Sequence, residues 1–94
     1  MTAEVRLPTV LRQHAGRQSV VRADGATVGE VLEELISAHP GLSGQVLGAD
    51  GKTLHRFVNV YLNDDDVRYL ERLDTKVSDD DVISILPAVA GGAD

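Results

Sequence analysis

The amino-acid sequence predicts an α+β domain, with one main helix packed on one face of a mixed sheet of four to five strands. Three observations lead there. A single stretch, 27–38, carries apolar residues at helical spacing, and several short stretches alternate apolar with polar residues at strand period. Glycine, proline and aspartate clusters punctuate them. The 94 residues are 43% hydrophobic and 26% charged, enough for one core and one domain, read as residues 1–87, with 88–94 as a flexible tail.

In chain order, Glu4-Val5-Arg6-Leu7 alternates as a half-buried strand. Pro8 ends it, because proline has no N–H for a ladder. His14-Ala15-Gly16-Arg17 reads as a turn and Ser19-Val20-Val21-Arg22 as a second strand, together an antiparallel hairpin. Asp24-Gly25 turns the chain. Thr27 opens the helix, three residues before Glu30 as in a capping box. Val28, Val31, Leu32, Leu35 and Ile36 form its apolar stripe, while Glu30, Glu33, Glu34 and Ser37 take the wet face. His39-Pro40-Gly41 stops it.

Residues 41–52 are expected as a loop with a helical turn over 43–47. Phe57-Val58-Asn59-Val60-Tyr61-Leu62 is the strongest strand signal, with Val58, Val60 and Leu62 inward and Phe57, Asn59 and Tyr61 outward. Residues 63–66 form a turn, Val67-Arg68-Tyr69 a short strand, 74–77 an irregular stretch and Asp79-Asp80-Asp81 an acidic turn. Val82-Ile83-Ser84-Ile85-Leu86 is the last strand, closed by Pro87. The predicted order is β-β-α-β-β(short)-β.

Composition excludes several functions. The formal charge is −6, against the basic footprint that phosphate binding needs. The first 22 residues hold four Arg and one Glu, net +3, which leaves −9 on the rest; the acidic remainder suits docking on basic partner surfaces. With no cysteine there is no disulfide, thiolate ligand or thiol nucleophile. No apolar run reaches the roughly 18–20 residues of a membrane span, and no basic-then-apolar leader opens the chain, so a cytoplasmic protein bound to neither membrane nor nucleic acid is expected. The aspartate runs 64–66 and 79–81 lack the alternating ligands, central glycine and later glutamate of a calcium loop, and read as solvated turns. His14, His39 and His55 share no ligand spacing. No acid–base or nucleophile constellation is visible, so neither catalytic nor metal-binding residues are expected.

The tail is the most informative feature. Gly91-Gly92 follows the small run Ala88-Val89-Ala90. Placed after a β-β-α-β order, this pair makes the chain resemble the ubiquitin-like (β-grasp) sulfur carriers of the MoaD/ThiS family. The stretches Leu54-His55-Arg56-Phe57-Val58-Asn59-Val60-Tyr61-Leu62-Asn63-Asp64 and Ile85-Leu86-Pro87-Ala88-Val89-Ala90-Gly91-Gly92, with Pro8-Thr9-Val10-Leu11-Arg12, resemble its cysteine-biosynthesis members.

The resemblance implies a protein co-substrate, not an enzyme. No cofactor would be bound. An E1-like adenylating, sulfur-transferring enzyme would use ATP to activate the carboxylate of Gly92, which sulfur then converts to a thiocarboxylate. A cysteine synthase-like or other sulfur-accepting biosynthetic enzyme would draw on it, for cysteine, a thio-sugar, a thioacid or another product. Ala90 and Gly91 would thread the partner's channel, where the missing Cβ lets glycine lie close to a wall. Because Ala93 and Asp94 follow Gly92, they would first be removed, with a JAMM-type zinc metalloprotease the candidate. Phe57, Tyr61 and Leu86 are the candidate partner interface, since exposed aromatic and apolar side chains on a sheet anchor partners. The alternatives are a ubiquitin-like modifier joined through Gly92 to lysines, a molybdopterin synthase small-subunit-type carrier, and a binding domain without tail chemistry.

Overall fold

The computed structural model of the chain describes residues 2–47 and 58–87. Five strands form one sheet: β1 (Thr2–Arg6), β2 (Val20–Asp24), β3 (Val58–Leu62), β4 (Asp65–Asp66) and β5 (Val82–Pro87), in the spatial order β2-β1-β5-β3-β4. β1 pairs antiparallel with β2 and parallel with β5, and β5 pairs antiparallel with β3. The strand nearest the end of the sequence thus sits at the centre of the sheet. The described residues include two α-helices, α1 (Thr9–Arg12) and the longer α2 (Val28–Ala38). This is the expected β-grasp architecture.

Alternation sorts the sheet into two faces. Ala3, Val5, Ala23, Val58, Val60, Leu62, Ile83 and Ile85 are buried on the α2 side, where they meet Val28, Val31, Leu32 and Leu35. Ile36, expected in the same stripe, is only partly buried. Thr27 caps α2: its Oγ1 accepts from the Glu30 N–H at 3.2 Å. Glu30 reaches back with Oε1 to the Ala26 N–H at 2.9 Å, one residue before the cap. Gly25 is required here, because a Cβ on it would stand 2.5 Å from the Val31 backbone nitrogen.

Four local readings are corrected. The β1–β2 connection is not a plain turn. It forms α1 and a 3₁₀ turn (Gln13–Ala15), which bury Leu11 and Ala15, and then reverses through left-handed Gly16 and Arg17, φ 65° and 64°. Pro40 does not only stop α2; it starts a 3₁₀ turn (Pro40–Leu42) in place of the helical turn expected at 43–47. Residues 67–69 are a 3₁₀ turn rather than a strand, because the Asp66 carboxylate accepts the Arg68 N–H at 2.9 Å, and the short strand is β4 just before it. Pro87 pairs with Val58 as the last residue of β5 rather than standing beyond it. No helix of the described residues is long and apolar enough to cross a membrane.

Candidate functional site

The candidate surface is the sheet face turned away from α2. Register places Tyr61 beside Ser84, and Asn59 beside Leu86. Leu86 is therefore the diagonal neighbour of Tyr61, on the same face and within reach of a long side chain. Leu86 is 46% exposed. Tyr61 is half-buried, less open than expected, since strands flank it on both sides: Ser84 of β5 and Asp66 of β4. Across β5, Ser84 faces Arg6 of β1, and Arg6 faces Val20 of β2. Phe57 lies outside the described residues, as do Ala90, Gly91, Gly92, Ala93, Asp94 and the rest of the 88–94 segment.

Beside Leu86 lies an open groove between residues 8–12 and the 84–87 end of β5, with Arg6 and Leu7 also at its wall. Its position follows from the parallel β1–β5 pairing, which brings the end of the first strand alongside the end of the last. Val10 projects there, 61% exposed. The sequence reading missed this contribution of residues 8–12. The available signal was the i, i+4 spacing of Leu7, Leu11 and Ala15, all three buried.

The other end of the sheet has a different chemistry. Aspartates there accept backbone N–H groups. Asp79 accepts from the Thr2 N–H at 3.0 Å, and Asp81 from the Ser78 N–H at 2.8 Å. The Asn63 side chain accepts from the Val82 N–H at 3.1 Å, while its own backbone N–H donates to the Val82 carbonyl at 2.6 Å. Among the described residues no group of three or more His, Asp or Glu side chains is arranged to hold a metal ion.

The ThiS family model matches residues 5–92. The chain belongs to the ThiS family. It is a β-grasp protein of the sulfur-carrier kind and is similar to CysO. The sulfur carrier protein CysO of Mycobacterium tuberculosis is 47% identical over 94 residues, covering 98% of this chain and all of that protein. A CysO solved in the Amycolatopsis orientalis BexX/CysO complex superposes with a TM-score of 0.86 at 46% identity, covering 96% of this chain and 99% of that one. Small archaeal modifier protein 3 of Haloferax volcanii is 36% identical, over 98% of this chain and all of that protein. The family match reaches Gly92 and leaves Ala93 and Asp94 beyond it, so the ThiS-family region of this chain includes the glycine pair.

Proposed function

We propose that this ThiS-family chain is a protein co-substrate that carries sulfur on Gly92. The observation that carries the reading is a family match reaching Gly92, joined to near-complete coverage of CysO in both directions. An internal Gly92 has a peptide carbonyl and no carboxylate, so Ala93 and Asp94 are removed first, a hydrolysis suited to a JAMM-type zinc metalloprotease. An E1-like enzyme then joins the Gly92 carboxylate to the α-phosphate of ATP, releasing pyrophosphate. The product is a mixed anhydride. Hydrosulfide attacks its carbonyl, AMP leaves with the bonding pair, and loss of the sulfur-bound proton leaves a thiocarboxylate. Ala90 and Gly91 thread the channel.

The carrier supplies no acid or base in this scheme. Its domain presents the tail and is held by its partner through Tyr61, Leu86 and Phe57. A sulfur-accepting enzyme making cysteine or another small sulfur compound consumes the thiocarboxylate; the solved complex of a CysO with BexX supports a partner-bound way of working.

Intact-mass measurement of the protein from its native cells tests the reading. The expected species ends at Gly92 and shows exchange of one terminal oxygen for sulfur. A chain active in sulfur transfer that retains Asp94 overturns it. A second reading, conjugation through Gly92 to target lysines, is favoured by the similarity to small archaeal modifier protein 3. It uses the same acyl-adenylate and ends in an isopeptide, so a Gly-Gly remnant on lysines of other proteins would be its signature.

A further inference from the structure

Among the described residues, aspartates gather at one end of the strands and a run of arginines without carboxylates lies at the other. β1 and β5 end together, and β2 and β3 begin at that same end. The charged side chains of β1's last residue and of the 8–19 connection are Arg6, Arg12 and Arg17, with no carboxylate among them. The opposite end gathers Asp24, Asp64, Asp65, Asp79, Asp80 and Asp81. Arg22 and Arg68 are matched to Asp80 and Asp66, and Arg6 to Glu4. Arg12 and Arg17, like Arg72 and Lys76 elsewhere, have no ion pair among the described residues; what sets Arg12 and Arg17 apart is that no carboxylate lies in their connection. The Arg12 Nε donates to the Leu7 carbonyl at 3.1 Å, which pins the side chain at the groove wall. Exposed apolar residues share this end: Val10, Val20 and Leu86.

We infer that this basic, apolar end docks on an acidic, apolar-lined surface around the tail-receiving channel of the activating enzyme. Arg12 and Arg17 meet carboxylates there, and Val10 extends the apolar contact begun by Leu86. The inference rests on the carrier reading and adds to it the sign of charge at the partner's channel mouth. A protein with cations at one end and aspartates at the other turns its positive end toward a negative surface during encounter, and its acidic end is repelled. In this fold the positive end is also the one from which the chain leaves Pro87 toward Gly92, so orientation and delivery coincide. The overall charge of −6 and the apolar side chains between the arginines favour a protein partner over nucleic acid.

The test uses the chain shortened after Gly92, which keeps every described element, with ATP and the E1-like adenylating enzyme of the same organism. Initial rates of pyrophosphate release are measured against carrier concentration, from about 50 to about 500 mM NaCl. For Arg17→Glu and Val10→Glu, both exposed, we expect KM to rise by roughly tenfold with kcat unchanged, and Arg12→Glu should do the same. Asp64→Lys, at the far end, stays within about twofold of wild type. Wild-type KM rises with salt, and less so in the arginine variants. Thermal melts verify folding; Arg17→Glu and Val10→Glu decide the question even if Arg12→Glu loses stability with its Leu7 contact. A wild type that turns over with a salt-independent KM, and variants within twofold of it, overturns the docking surface alone. So does an Asp64→Lys effect as large as that of Arg17→Glu. A wild type that releases no pyrophosphate overturns the carrier reading and this inference with it.

Discussion

The two ends of the sheet share strands and differ in what their connections do. Where β2 ends and β5 begins, Asp81 closes a short turn on the Ser78 N–H, while Asp79 and Asn63 accept backbone N–H groups of neighbouring strands, with left-handed Asn63 and Asp80 at the bends. Where β1 ends beside the end of β5, the connection to β2 is long and helical, and it leaves Val10 and Arg17 facing outward. Asp79, Asp81 and Asn63 at the first end bond backbone N–H groups of the fold itself. At the second end Arg17 and Val10 are exposed. Asp79 and Asp81 thus have a structural role in the turn and strand ends where they sit.

Several experiments would break or sharpen that contrast. The largest effect is expected at the tail: keeping Ala93 and Asp94 should abolish pyrophosphate release, and shortening to Gly92 should restore it, in the same adenylation assay. Next comes Leu86→Asp, which should raise the carrier KM by more than about tenfold while the thermal midpoint stays nearly constant, since Leu86 is exposed in the free protein. At the acidic end the effects should fall on stability instead. Gly25→Ala drives a methyl against the backbone of α2 and should cost about 1–3 kcal/mol in urea unfolding, with the KM of the folded protein unchanged. Thr27→Ala, which removes the cap on Glu30 N–H, should cost about 1 kcal/mol by the same measurement. Arg22→Ala breaks an exposed pair with Asp80 and should cost under about 0.5 kcal/mol.

Much of this was legible in the sequence, for a physical reason. α2 has eleven residues, a wide apolar stripe and a cap, so local pattern and tertiary burial agree. The inward set Val58, Val60 and Leu62 is buried as its alternation requires, and Leu86 follows from the same rule on β5. Residues 9–15 offered only one weak helical signal, the i, i+4 row of Leu7, Leu11 and Ala15. A four-residue helix is too short to form by itself and exists because Leu11 and Ala15 are buried against the core. Residues 67–69 misled because valine and tyrosine favour strands, whereas the Asp66 side chain holds the backbone in a tight turn. The groove required knowing that β1 and β5 lie side by side. Their pairing spans most of the chain, and no periodicity encodes it.

That same pairing constrains how the molecule is made. β5 fills the gap between β1 and β3, so a nascent chain halted before residue 82 has an unclosed sheet, with two edges waiting for their shared neighbour. Contacts this distant in sequence form late. A closed sheet thus arises only once synthesis has passed residue 87, and fragments cut short of it lack the face that Leu86 and Tyr61 share.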